Sequence, residues 1–400
     1  MEKKKNVLFI APSCYPVDGA EAIVNMKLLQ ALQKSGLFDI DVISKKRMYE
    51  IYPSAPIESY GIDKSKVHIV EVPNKINLRT IFETSMCFVK FGVTMKGAHW
   101  AYEALPVVDK LVREKKYDYV VTKNAPSYLL GYYLKKKYNL KWVASWNDPY
   151  PREKYPAPYG KGWNYSTWGI RRETTRMSCA DIHLFPNERL KQWMLNYLNI
   201  TDSVTRIIPH IMVPQESNRP PYGDVLKMIH SGNLQSPRNP ENLFKGLARM
   251  IAETPDAKIE LYILGMVDEG SLRLIKELHL EGIVRFLGKV SYQESLAMLS
   301  DYHIAVIVEA NCKEGIFLPT KVGDFMSVSI PIFSVSPKVG ILNDIYKSGH
   351  ISYFADVDSV KEISEALKTI YNDYMHNDIR KTSVIEEYSS NFIVESYYNF

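Results

Sequence analysis

Thirteen short apolar runs, most of them followed by a stretch of helical periodicity, constrain this chain more than any other feature. Seven occupy the first half: 6–11, 39–44, 67–72, 118–122, 141–146, 181–185 and 205–208. Six more follow at 226–232, 258–265, 284–288, 303–308, 330–335 and 351–354. Runs such as Val7-Leu8-Phe9-Ile10 and Ile304-Ala305-Val306-Ile307-Val308 do not alternate, as expected of parallel strands buried on both faces. Between them the apolar positions fall at helical spacing, as in Ala22, Ile23, Met26, Leu29 and Leu32, or Leu243, Leu247 and Ile251. Strand, helix and strand in succession make βαβ units, and hence α/β doubly wound sheets. The segment 211–224, with Pro214, Pro220 and Pro221, separates the two sets and reads as a linker. The predicted domains are therefore 1–212 and 213–376, with 377–400 as a helical tail.

The 400 residues, 46% hydrophobic and 24% charged, exclude a disordered chain, and no run of some 18 apolar residues predicts a transmembrane helix. The apolar run after Lys5 is too short for a signal peptide. Cys14, Cys87, Cys179 and Cys312 have no metal or disulfide spacing, which predicts a reducing, cytoplasmic setting. The sequons at Asn164 and Asn199 are then chance matches. Charge is uneven: residues 1–200 hold 31 Lys and Arg against 19 Asp and Glu, a net of +12, and the rest 19 against 26, a net of −7. Such a basic half suits an anionic surface, or simply carries solvated lysines. No nucleic-acid recognition module accompanies it. The mostly helical stretch 79–115 mixes Ile81, Phe82, Phe88, Val89 and Trp100 with Lys90, Lys96 and His99. It reads either as a lipid-touching surface or as a helix hairpin buried on the sheet.

The chemistry concentrates in Leu318-Pro319-Thr320-Lys321-Val322-Gly323-Asp324, between two apolar runs. Pro319 suits a first helical position and Thr320 is a candidate cap. A helix start favours an anion, Lys321 adds a cation, and Asp324, three residues on, could accept from sugar hydroxyls. The alternative is an ordinary helix start with a solvated Lys and Asp. Gly232, after the strand 226–232, would let phosphate approach the backbone, and Arg238 could pair with it. Asp148 falls just beyond the strand 141–146, where ligands of open α/β sheets gather. The loop 152–163, rich in Pro, Tyr and Gly, reads as a mobile flap beside it. His210 and His230, near strand ends, read as structural. The late Asp-x-Asp, Asp356-Val357-Asp358, opens a helix and reads as a cap, so no metal site is expected.

These residues resemble those of family-4 glycosyltransferases of the GT-B fold, particularly bacterial surface-polysaccharide enzymes. Pro319, Thr320, Lys321 and Pro331 match the family's Pro-Ser/Thr-Lys-x-x-Glu-Tyr-x-x-x-Gly-x-Pro, with Asp324 for Glu, Phe325 for Tyr and Ser329 for Gly. Pro16, Gly19 and Glu21 resemble its first loop, with Ala20 for the second glycine. Asn147-Asp148-Pro149-Tyr150 resembles its Asp-Pro-Trp, and Gly232 its donor-domain loop. The resemblance implies two Rossmann-like domains facing a cleft, and a tail that returns to the first domain. It implies a nucleoside-diphosphate sugar on Gly19, Gly232, Arg238, Thr320, Lys321 and Asp324. It implies a saccharide or polyprenyl-linked acceptor near Asp148 and retention at the anomeric carbon. No cofactor or metal is expected, because the helix dipole and Lys321 can neutralise a diphosphate, and the charge of the first half with the stretch 81–100 predicts peripheral contact with an anionic membrane at its cytoplasmic face. The family's first Glu of a Glu-x7-Glu pair would fall on Ile316, so Glu314, or else Glu309, is expected to face the donor sugar. Two other readings stay open: another GT-B activity such as a nucleotide-sugar 2-epimerase, and a non-catalytic scaffold.

Overall fold

The computed structural model describes residues 3–17, 19–46, 56–72, 78–93, 97–160, 167–215 and 218–400. The Asn164 sequon, Lys96 and the end of the 152–163 loop lie outside them. The chain divides into two compact units. One comprises Met1–Tyr155, Trp163–Ile211 and Glu387–Phe400; the other comprises Pro156–Gly162 and Met212–Glu386.

The first unit runs β1 (Lys5–Ile10), α1 (Ala20–Lys34), β2 (Phe38–Lys45), β3 (Val67–Val70), α2 (Leu78–Phe91), α3 (Ala98–Glu114), β4 (Tyr119–Lys123), α4 (Ser127–Tyr138), β5 (Trp142–Ser145), α5 (Trp168–Met177), β6 (Ile182–Phe185), α6 (Glu188–Leu195) and β7 (Thr205–Ile207). Every strand pair is parallel, in the order β3-β2-β1-β4-β5-β6-β7. Strand order therefore reverses between β1 and β4, which opens a crevice at their carboxyl ends. The continuous apolar runs are explained by burial on both faces: Val7, Leu8, Phe9 and Ile10 have no exposed surface.

The stretch 79–115 resolves into two helices of opposite character. Helix α3 buries Trp100, Ala101, Ala104 and Val108, as a sheet-packed helix should. Helix α2 buries Glu83, Cys87 and Phe91 and exposes Ile81, Phe82, Phe88 and Val89, by 59%, 62%, 44% and 71%. Ordinary amphipathic packing would turn those four apolar side chains inward.

The second unit runs β8 (Leu226–Ser231), α7 (Glu241–Glu253), β9 (Ile259–Leu264), α8 (Glu269–Glu277), β10 (Val284–Gly288), α9 (Tyr292–Met298), β11 (Ile304–Val308), α10 (Lys321–Ser327), β12 (Ile332–Ser336), α11 (Ile341–Lys347), β13 (Tyr353–Asp356) and α12 (Val360–Met375). Its parallel sheet has the order β10-β9-β8-β11-β12-β13, with the reversal between β8 and β11. Helices α7 and α12 meet closely because Gly246 has no side chain: a Cβ there would stand 2.5 Å from the Ile363 Cγ2. The closing helix α13 (Ser390–Tyr398) belongs to the first unit. Its Ile393 and Tyr397 enter that core, and the Tyr119 hydroxyl donates to the Tyr397 carbonyl at 2.6 Å.

The division of the chain differs in detail from 1–212, 213–376 and 377–400. Met212 and residues up to Glu386 lie with the second unit. There Ile379 packs on its core and the Thr382 hydroxyl accepts from the Ile332 N–H at 3.0 Å. The segment Pro156–Gly162 joins that unit too, with the Tyr159 ring 4.4 Å from that of Phe317.

Candidate active site

In the second unit the loops after β8, β9 and β11 and the start of α10 converge at the carboxyl edge of the sheet, at its switch point. The β8 loop is fixed from below. Gly232 donates its N–H to the Leu264 carbonyl at 2.7 Å. Gly265, at φ +147°, sits so close that a Cβ on it would be 2.4 Å from the Gly232 carbonyl oxygen. Gly232 itself has φ +128°, a conformation that glycine adopts without strain.

Against Gly232 stands Lys321. Its Nζ lies 2.8 Å from the point where a Cβ on Gly232 would be. No hydrogen bond or ion pair to this ammonium is formed among the described residues. Burial and the nearby Arg238 guanidinium lower it to about 8, against the pull of Glu309 and Asp324. His230 is fully buried beside it. The His230 Nδ1 donates to the Val306 carbonyl at 3.0 Å, which leaves Nε2 as a lone pair without a partner among the described residues. Burial and then Lys321 hold the imidazole neutral. One nitrogen of His230 is thus structural, and the other faces the site.

Arg238 and Glu309 form the second half of the constellation. The Arg238 Nε donates to one Glu309 oxygen at 3.0 Å, and the Tyr159 hydroxyl donates to the other at 2.5 Å. The Arg238 guanidinium lies 5.8 Å from the Tyr159 ring centroid. Burial and then Glu309 push the ionisation of the Tyr159 hydroxyl far up, against the Arg238 guanidinium. Asp324 accepts from the Tyr292 hydroxyl at 2.7 Å. Glu309, rather than Glu314, is the carboxylate gathered with Arg238 and Lys321; Glu314 accepts from the Cys312 thiol through its backbone carbonyl at 3.2 Å.

Three sequence expectations need correction. Helix α10 begins at Lys321, so Pro319 precedes it instead of opening it. Thr320 takes the cap position in right-handed helical geometry, and its side chain makes no capping bond. The late Asp-x-Asp does not cap either. Ser359 caps α12 by accepting from the Glu362 N–H, while Asp356 pairs with Lys338 at 3.4 Å and Asp358 accepts from Asn311 at 2.7 Å.

In the first unit a polar cluster lies at the β1/β4 switch point. Glu21, opening α1, accepts twice from the Asn147 amide at 2.8 and 2.7 Å and once from Asn25 at 3.1 Å. Lys123, the last residue of β4, is 5% exposed, and its ammonium makes no hydrogen bond or ion pair among the described residues. Burial lowers its ammonium to about 8, against the attraction of Glu21 and the neighbouring Cys14. Asp148 lies at the rim, exposed, and accepts from the Tyr155 hydroxyl. Gly19 caps α1 in extended backbone, and a Cβ there would meet open space. Sequence reasoning missed Lys123, Tyr159 and Tyr292. The one local signal was a lysine ending an otherwise apolar strand. Among the described residues no group of His, Cys, Asp and Glu could hold a metal ion, and no helix is long and apolar enough to cross a membrane.

No family model matches the chain. It is 25% identical over 174 residues to the N-acetyl-alpha-D-glucosaminyl L-malate synthase of Bacillus anthracis, covering 42% of this chain and 43% of the relative. It is 24% identical over 296 residues to an uncharacterized glycosyltransferase of Methanocaldococcus jannaschii, covering 70% of each. The match thus spans less than half the length of the first relative. In fold the chain is similar to the crystal structure of Anabaena HepE in complex with UDP and glucose, with a TM-score of 0.62 and 13% identity over 98% of this chain and 95% of that one. The fold is that of GT-B glycosyltransferases, the class to which the chain is similar. Within that class, the relatives and the residues around Lys321 make the chain similar to family 4.

Proposed function

We propose that the protein transfers a sugar from a UDP-sugar to a saccharide or lipid-linked acceptor, with retention at the anomeric carbon, in surface-polysaccharide synthesis. The observation that carries the reading is the partnerless Lys321 ammonium against Gly232 at the switch point of the second sheet. A half-buried cation with no ion pair is costly, and a bound diphosphate would supply the missing contact. The UDP and glucose in the HepE complex, on the same fold, support that choice of donor.

In this reading Lys321 and Arg238 hold the diphosphate, with the Gly232 backbone close enough to touch it. Asp324 takes the ribose hydroxyls in place of Tyr292, and Glu309 takes a hydroxyl of the sugar. As the bond from the anomeric carbon to the β-phosphate oxygen breaks, negative charge gathers on the leaving group, and Lys321 stabilises it in place. The acceptor oxygen bonds the anomeric carbon from the same face. Its proton passes to the departing phosphate oxygen, so no protein base is required. Positive charge from side chains lets the reaction run without a divalent metal. The acceptor is recognised by the first unit, around Asn147 and Asp148.

The exposed stripe of α2 docks the protein on an anionic membrane. Arg172 supports this role. Its guanidinium lies 5.7 Å from the Phe88 ring and 4.4 Å from the ring of Trp168, which is 59% exposed.

Calorimetric titration with UDP tests the donor site. UDP should bind the parent protein and fail to bind Lys321→Ala. Absence of UDP binding by the parent, or equal binding by both, overturns the reading. Activity abolished by EDTA and restored by manganese or magnesium overturns the metal-free part of it.

A further inference from the structure

We propose that a cleft at the amino-terminal edge of the second sheet binds a phosphate ester carrying a flat apolar body, at a site separate from the donor site. The cleft has a volume of about 380 Å³, within the size of small-molecule pockets. It is lined by residues that precede strands: His303 before β11, and Val328, Ser329 and Pro331 before β12. Lys321 and Gly232 follow strands, so a strand's length, roughly 17 Å for five residues, separates the two places.

Every charged group on its wall is a cation. Arg219 spends two N–H groups on backbone, one on the Tyr302 carbonyl at 3.4 Å and one on the Val328 carbonyl. These bonds fix the guanidinium and leave three of its five donors. Burial pulls it down to about 10. Lys381 is exposed and makes no ion pair or hydrogen bond among the described residues. Ser329 holds φ +53°, uncommon for a residue with a side chain, and its hydroxyl is likewise unpartnered among them. Among the described residues no Asp or Glu lines the cleft.

One wall is aromatic. The Tyr222 ring, 45% exposed, stacks 6.3 Å from His303 and packs 5.3 Å from Tyr374. His303 offers only its ring. Its Nδ1 accepts from the Lys227 N–H at 3.0 Å, and its Nε2 donates to the Pro221 carbonyl at 3.3 Å. Two cations, a hydroxyl and an aromatic wall, with no acid to compete, match an oxyanion joined to a ring or acyl body. A soluble phosphate ester and a phospholipid headgroup share that chemistry.

The probe is phenyl phosphate, titrated calorimetrically into the full chain and its variants. Parent and Lys321→Ala should bind it alike. Arg219→Met and Lys381→Met should each weaken it on the order of tenfold, the worth of one charge-assisted hydrogen bond. Lys381 lies at the exposed rim, so its replacement leaves folding intact. Ser329→Gly should weaken binding more modestly while relieving backbone strain. Inorganic phosphate and phenol should each bind more weakly than the ester. Vesicles containing phosphatidic acid that compete with the probe assign the headgroup, and vesicles that do not compete assign the soluble ester. No binding of phenyl phosphate, equal binding of phenol, or binding lost in Lys321→Ala but kept in Arg219→Met overturns the proposal.

Discussion

The Lys321 ammonium fills the space that a side chain on Gly232 would need, 2.8 Å from the position of the absent Cβ. Glycine at 232 and lysine at 321 are therefore one structural decision: a bare backbone lets a half-buried cation stand against it. Gly232→Ala should fail in two ways. The backbone at φ +128° strains any Cβ, costing about 1–3 kcal/mol, and the new methyl displaces the ammonium. Urea unfolding should show the loss, and calorimetry a weaker UDP affinity. A variant matching the parent in both measurements would contradict this coupling.

Lys321 also sets a pH dependence whose sign is fixed by its environment. Burial lowers its ammonium to about 8 from the ordinary 10.5. Between those values the unfolded chain holds the proton and the folded chain does not, so stability rises with pH across that window. The cost of the half-buried charge is complete below about pH 8 and gone above about 10.5. Lys321→Met should consequently be more stable than the parent at pH 7, with an advantage that shrinks as pH climbs past 8. Lys123, lowered to a similar value, cancels in the comparison. UDP affinity of the parent should fall over the same range, since only the protonated amine attracts the diphosphate. Parallel denaturation curves at several pH values check the first claim, and titrations with UDP the second.

Tyr159 and Arg238 between them engage both oxygens of Glu309. If Glu309 takes a hydroxyl of the donor sugar, the tyrosine hydroxyl competes for the same carboxylate. Tyr159→Phe should raise affinity for UDP-glucose several-fold, within the roughly 0.5–1.5 kcal/mol net worth of a hydrogen bond, and leave affinity for UDP unchanged. Glu309→Gln should weaken UDP-glucose binding while sparing UDP. An equal change for both ligands in Tyr159→Phe would mean that the tyrosine acts on the diphosphate.

Strands were legible in the sequence because burial on both faces leaves an unbroken apolar run, as in Ile304–Val308, and that signal is local. Gly232, Arg238 and Lys321 were legible because charge and backbone freedom attach to single residue types. The partners Tyr159 and Tyr292 were not. Each reaches a carboxylate, 150 residues away in one case and 32 in the other, and a tyrosine carries no local mark of such a contact. The capping at the late Asp-x-Asp was misassigned for a related reason. Ser359 follows two acids that could each cap, and both are engaged by distant residues, Asp356 by Lys338 and Asp358 by Asn311.

The same limit applies to 79–115, where composition could not tell a buried hairpin from a membrane surface. On α2 the exposed side chains at 81, 82, 88 and 89 recur at helical spacing, while Glu83, Cys87 and Phe91 face inward. Water gains nothing from that orientation; an acyl layer does, at ~0.8 kcal/mol for each methylene buried. Arg172, between the Phe88 and Trp168 rings, and exposed Lys90 add attraction to anionic headgroups of roughly 1 kcal/mol each. Parent protein should float with vesicles containing anionic lipid and less with neutral ones. Phe82→Ser combined with Val89→Ser should lower recovery with both kinds, since it removes the apolar term. Arg172→Gln should lower recovery with anionic vesicles alone. Because Phe82 and Val89 are 62% and 71% exposed, the double variant should unfold at the same temperature as the parent. Undiminished flotation of the double variant would show that α2 is not the membrane-facing element.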